Sequence, residues 1–201
     1  MKFTDKIENL LPLGYLFLVI IGIFKESVFY YQIGINILNY SSILDILISP
    51  ISTITSNYLV LLAIILLFIL CYKLPGFLLN NHHKKWVKKN FDLKDSISEL
   101  SIEELKNYFA FISIKFLAFM LLSFFVGFGL AEGMITSKKI KNDKLKYNYC
   151  LNYNTGEKEL IYVIGFNSSY YFFTTKGNKN IKIIPIGTIK SLEFLDNKML
   201  K

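Results

Sequence analysis

The sequence predicts an α-helical multi-span membrane region followed by a small all-β C-terminal domain, an SH3-like or Sm-like meander barrel. Three observations carry this expectation. Of 201 residues, 53% are hydrophobic, above the about 45–50% of soluble domains, and the mean hydropathy is +0.40. The apolar residues are bunched into long runs, which a bilayer accommodates better than a soluble core does. From Lys144 onward the pattern changes to short alternating and aromatic runs separated by turn residues, the signature of strands.

The first apolar run is Leu10 to Phe24, carrying Pro12 and Gly14 and closed by Lys25 and Glu26. It is shorter than the about 20 residues that cross a hydrocarbon core of about 30 Å. A span of about 10–31 results if Lys25 and Glu26 pair as neighbours or snorkel. A cleaved signal peptide is the competing reading. No small-residue cleavage site follows, so a retained anchor is expected. The second span covers 58–79, with Leu59 to Leu70 as its core. The third covers about 109–135. Upstream of it, Ser101 and Glu104 form a capping-box pattern that sets a helix start near Ile102, running without a breaker into the membrane.

Between the first two spans, Gln32 to Asn57 is apolar yet turn-rich, with Gly34, Asn36, Asn39, Ser41, Ser42, Asp45, Ser49 and Pro50. An interfacial or re-entrant helix over Ile43 to Ile54 is expected. A fourth crossing is disfavoured because Asp45 and the turn residues would lie in lipid. The domain organisation expected is therefore a transmembrane region over 1–135, with a basic interfacial loop over 80–107, and a β-rich domain over 136–201.

Lysine sets the orientation. All 23 basic residues are Lys, and none lies between Lys25 and Lys73. Translocated loops are depleted in basic residues, so 32–57 should face outward and the 80–107 loop, with Lys84, Lys85, Lys88, Lys89, Lys94 and Lys106, inward. A single crossing by the third span then puts the tail outside, although it begins with Lys138, Lys139, Lys141, Lys144 and Lys146. The inverted topology is the alternative. An Arg-free composition rich in Lys, Asn, Ile and Tyr points to an AT-rich bacterial genome, hence to the bacterial cytoplasmic (inner) membrane. It also removes arginine fingers and bidentate guanidinium clamps on phosphate or guanine.

Several side chains stand out. Lys84, Lys85, Trp86, Lys88 and Lys89 form a basic patch around one indole, suited to the bilayer interface and to anionic lipid headgroups. Nucleic-acid binding is disfavoured, since neither a motif nor an Arg supports it. His82 and His83 are the only histidines and cannot supply the four donors zinc takes, so no metal and no cofactor is expected. Cys71 and Cys150 are read as two unpaired structural thiols. In the third span Ser123, Gly127 and Ala131 recur at four-residue spacing, and Gly129 with Gly133 makes a GxxxG pair. Small residues so spaced let helix backbones approach, either in self-association or against the chain's own spans. Asp45, Lys115 and Glu132 are the intramembrane polar candidates. Lys115 and Glu132 bracket the most apolar part of the third span and reach opposite interfaces by snorkelling. Asp45 lines a pore mouth or caps a helix.

In the tail, strands are expected over Tyr147 to Tyr153, Glu159 to Phe166, Tyr170 to Thr175, Ile181 to Ile183 and Leu192 to Phe194. Turns are expected at Asn154–Glu157, Asn167–Ser169 and Lys176–Lys179. So small a core is marginal alone. It should lean on the membrane helices, on sister subunits or on a protein partner.

Three spans with a Gly-bearing third helix, then a small β-domain, resemble the coarse layout of small-conductance mechanosensitive channels. The stretch Thr174-Thr-Lys-Gly-Asn-Lys-Asn-Ile-Lys-Ile-Ile-Pro-Ile-Gly-Thr-Ile189 is similar to that family's β-domain, where a turn leads to an apolar strand ending in Ile-Pro. The family's regular Gly/Ala seam is sparse here and its further C-terminal domain has no counterpart. The resemblance implies an oligomeric channel with a cytoplasmic tail, against the lysine distribution. Two functional readings follow. One is an oligomeric pore or channel-like protein, with the third span at the subunit contact and the β-domain as an assembly or sensing platform. The other is a membrane-tethered binding module, analogous in size and layout to accessory membrane proteins of bacterial antiviral systems, including RNA-targeting CRISPR loci. No Ser/His/Asp set, paired carboxylates in a cleft, phosphate-binding Gly loop or metal cluster is present, so no enzyme is expected.

Overall fold

Every long apolar run is helical in the computed structural model, which describes residues 3–91 and 101–195. Helices α1 (Phe3–Tyr31), α3 (Tyr58–Asn80) and α5 (Ile102–Lys141) are long and apolar enough to cross a membrane. Between α1 and α3 lie a 3₁₀ turn (Ile37–Asn39) and α2 (Ile43–Ser56). At 14 residues α2 is about 21 Å long, too short for a hydrocarbon core of about 30 Å. The basic segment after α3 contains α4 (Lys85–Asn90); Lys94 lies outside the described residues. At 40 residues α5 is about 60 Å long, so it projects well beyond any bilayer.

Side chains and backbone together set the helix ends. The expected capping box opens α5: the Glu104 carboxylate accepts from the Ser101 N–H (2.9 Å) and hydroxyl (2.8 Å), and Ser101 Oγ accepts from the Glu104 N–H (3.3 Å). Ser42 and Asp45 open α2 in the same way. At the C-terminus of α1, the Ile35 N–H bonds the Tyr30 carbonyl and the Gly34 N–H the Tyr31 carbonyl, with Gly34 at φ +80°. This is the Schellman closure, which needs a left-handed residue and favours Gly. The end of α5 repeats it through Lys144 to Lys139 and Asp143 to Ile140, but with Asp143 at φ +52° in the glycine position.

The tail forms one antiparallel sheet of β1 (Tyr149–Tyr153), β2 (Lys158–Phe166), β3 (Tyr170–Thr175), β4 (Lys182–Pro185) and β5 (Ile189–Phe194), in the order β4-β3-β2-β1-β5. The expected barrel is corrected to an open sheet, because β4 and β5 are its two edges and do not pair. Only the 3₁₀ turn Ile186–Thr188 links them. Four extended residue steps span about 14 Å, whereas five flat strands put the edges about 19 Å apart. The sheet must therefore curl. Bulges between Asn152 and Tyr153 and between Val163 and Gly165 supply the added twist. Strand β4 is only four residues long and ends in Pro185, which has no N–H to donate to a closing ladder.

The chain forms two compact units, residues 1–51 with 125–201, and residues 52–124; α2 and α5 run from one into the other. In the second unit Leu78 of α3, Val87 of α4, and Leu105 and Phe109 of α5 make a core, flanked by Phe91 and Tyr108. The Tyr108 hydroxyl donates to the Phe91 carbonyl (3.0 Å). In the first unit the curled sheet buries side chains on both faces. Phe173 joins Leu151 and Ile161 on one side. Its neighbour Phe172 points the other way, as strand alternation requires, and packs with Tyr30 of α1 and Ile37. Both phenylalanines are fully buried. The sheet thus leans on the end of α1 and on the 33–40 segment.

Candidate functional site

An ionisable cluster sits within the apolar helices of the first unit. Lys25 and Glu26 interrupt the apolar run of α1 yet do not end it. The Lys25 ammonium donates to Glu26 Oε1 (2.8 Å) and to Ser49 Oγ of α2 (2.9 Å), and the Ser49 hydroxyl bonds the Glu26 carboxylate. Their side chains are only 11% and 18% exposed, so the pair is held away from solvent, where isolated charges are costly and paired ones persist. Glu132 of α5 is in electrostatic range of both Lys25 and Glu26.

Close backbone contact holds the cluster together. A Cβ on Gly129 would lie 2.5 Å from the Lys25 carbonyl oxygen, and one on Gly133 2.6 Å from that of Phe29. One turn before Lys25, Gly22 abuts the Ile46 carbonyl of α2. Small residues therefore let α5 and α2 approach α1 at the level of Lys25, as they do between membrane helices generally. Burial, and then the charge of Glu132, raise the phenol of Tyr162 in β2 above its usual range.

A second polar node ties α2 to the sheet. Besides capping α2, Asp45 accepts from the Ser168 N–H and hydroxyl, each at 3.0 Å. The Asn167 amide donates to the Tyr40 carbonyl (3.0 Å). Partial burial alone would raise the Asp45 carboxyl; the hydrogen bonds from Ser42 and Ser168 outweigh it and hold the group below its ordinary value.

The remaining sequence-derived residues are placed as follows. Lys84, Lys85, Lys88 and Lys89 are exposed around the buried Val87, and Trp86 stands 6.3 Å from the Phe77 ring. Lys115 lies 4.4 Å from the centroid of Phe111, one turn back on its own helix. Ser123, Gly127 and Ala131 are exposed, and nothing lies within 4 Å of a Cβ on Gly127. The five small residues of α5 thus split between two faces. Gly129 and Gly133 are taken by α1, whereas Ser123, Gly127 and Ala131 stay open. Among the described residues no group of three His, Cys, Asp or Glu side chains could hold a metal ion.

Sequence reasoning offered Lys25 and Glu26 as a neighbouring pair or as snorkelling side chains of a lengthened span, and the structure forms the pair. It did not find their partner Ser49, nor Ser168 as the partner of Asp45. A carboxylate and an ammonium adjacent in an apolar run, with Gly22 one turn before, was the available signal for a packed polar node. No protein-family model, curated protein or solved structure matches the chain. The three apolar helices followed by a small antiparallel sheet agree with the channel-like layout only at that coarse level.

Proposed function

We propose that this chain is one subunit of an oligomeric, channel-like protein of the bacterial cytoplasmic membrane, with α5 at the subunit contact and the sheet as an assembly platform. The observation that carries the reading is the division of small residues on α5. One seam is spent inside the subunit on α1. The other, Ser123, Gly127 and Ala131, faces outward on a membrane-length helix, where small residues serve backbone contact with another helix. The fixed attachment of the sheet to α1 through Phe172 and Tyr30 suits a platform better than a module hanging on a flexible tether.

A three-crossing topology fits the same frame. Asp45 and Tyr40 touch Ser168 and Asn167, so the 40–45 segment and the sheet share one side of the membrane. The chain must then cross an even number of times between them. Helices α3 and α5 supply two crossings, which leaves α2 folded back on the side it started from.

The test is cross-linking of Gly127→Cys, with Cys71 and Cys150 replaced by Ser, in native membranes. A covalent dimer, absent when the thiol is moved to the exposed Ile114 on the opposite side of α5, and discrete conductance in planar bilayers are expected. A monomeric particle in mild detergent that forms no cross-link would overturn the proposal.

A further inference from the structure

Where α1 and α5 leave their apolar stretches, the first unit contains a cavity of about 330 Å³. Its polar wall consists of Gln32 just past α1, Ser137 and Lys141 in the last turns of α5, and Lys179 between β3 and β4. Ile33, Ile140 and Ile181 supply the apolar wall. Tyr31, next to Gln32 on the chain, is exposed, as suits an aromatic side chain at the boundary between lipid and water.

We propose that this cavity binds the headgroup of an anionic phospholipid, with Lys141 and Lys179 on the phosphate and the three isoleucines against the glycerol and upper acyl chains. Charge argues for an anion. Among the described residues neither ammonium is in an ion pair, and Lys138, Lys139 and Lys144 stand close by on the chain. Lys141 also complements the carbonyl end of α5; Lys179, on a hairpin, has no helix end of its own to complement. The Schellman bonds occupy the carbonyls of Tyr30, Tyr31, Lys139 and Ile140, which lessens the repulsion that two helix C-termini offer a phosphate. Position argues for a lipid over a soluble anion, because the apolar wall adjoins the hydrocarbon-facing ends of two spans. The size suits a compact polar ligand. This site is separate from the Lys84–Lys89 patch and holds for a monomer or an oligomer alike.

Native mass spectrometry of the full-length protein in detergent micelles tests it, with phosphatidylglycerol or phosphatidylcholine added. Wild-type protein is expected to retain phosphatidylglycerol preferentially. A lysine near anionic lipid contributes about a fivefold factor, so Lys141→Gln with Lys179→Gln should lower retention about 25-fold, while Lys141→Arg with Lys179→Arg preserves it. Lys158→Gln with Lys190→Gln, two exposed lysines of the sheet outside the cavity lining, is expected to leave it unchanged. Undiminished retention in the glutamine pair would overturn the proposal. Displacement of phosphatidylglycerol by inorganic phosphate at equal concentration would also overturn it, assigning the cavity to a soluble anion.

Discussion

Replacing single glycines of α5 by alanine separates its two faces. At Gly129 the new Cβ would stand 2.5 Å from the Lys25 carbonyl oxygen, and at Gly133 2.6 Å from that of Phe29, where ordinary contact begins at 3.4 Å. The obstacle is backbone, so α5 and α1 must part by about 0.8–0.9 Å. Such overpacking costs about 1–3 kcal/mol. Alanine returns up to about 1 kcal/mol of helix propensity, leaving a net loss of about 1–2 kcal/mol. Gly127 meets nothing within 4 Å in its own chain, so in the dissociated subunit the propensity gain of about 0.5–1 kcal/mol stands alone. At about 2–4 °C per kcal/mol for a chain of this size, Gly129→Ala should melt about 3–6 °C below wild type and Gly127→Ala about 2 °C above it. Thermal unfolding of the dissociated subunit, in a detergent that separates the subunits and followed by near-ultraviolet circular dichroism, reads the difference. Equal melting temperatures for Gly127→Ala, Gly129→Ala and Gly133→Ala would refute the assignment of faces.

Asp45→Ala removes a helix cap and two bonds to Ser168, at a cost of about 2 kcal/mol. Because the folded carboxyl is held below its ordinary value, its contribution is present above the unfolded pKa of about 3.9 and fades as pH falls through the folded value. Denaturation curves whose wild-type-to-variant gap stays constant down to acid pH would contradict this. Asp143→Gly should raise stability by about 1 kcal/mol, since it relieves a left-handed residue and forfeits only a 3.4 Å bond from Tyr147; a lower melting temperature would count against the Schellman geometry. Phe172→Ala should cost about 3–5 kcal/mol. A double-mutant cycle with Tyr30→Ala, whose ring lies 5.1 Å away, should show coupling of about 1 kcal/mol; strict additivity would place the sheet off α1.

Local signals were legible and distant partners were not. The Ser101–Glu104 box placed the start of α5, and Asn154–Glu157, Asn167–Ser169 and Lys176–Lys179 placed the turns, because each acts within a few residues of itself. The Gln32–Asn57 segment read correctly as turns and a short helix, since its polar residues recur too often for a span. Lys25 was visible as a charge in an apolar run, but Ser49 is 24 residues away, and nothing in the apolar pattern of 43–56 says which face meets α1. The bond from Ser168 to Asp45 spans 123 residues and leaves no periodic trace. The small residues of α5 looked like one seam because four-residue spacing runs through both sets. Helix periodicity already puts Gly127 about 200° from Gly129; the neighbouring backbones show which of the two sets α1 takes. The barrel was expected to close because alternation reports strands; which strands become edges depends on the short β4–β5 link and on Pro185.

The placement of the sheet beside the 40–45 segment on one side of a three-crossing chain is tested most directly by thiol accessibility. Single cysteines at Asn39, His83 and Asn154, in a chain with Cys71 and Cys150 replaced by Ser, are exposed to a membrane-impermeant reagent in intact cells and in inverted vesicles. Asn39→Cys and Asn154→Cys should label from the same side, and His83→Cys from the other. Labelling of Asn39→Cys and Asn154→Cys from opposite sides would contradict the account.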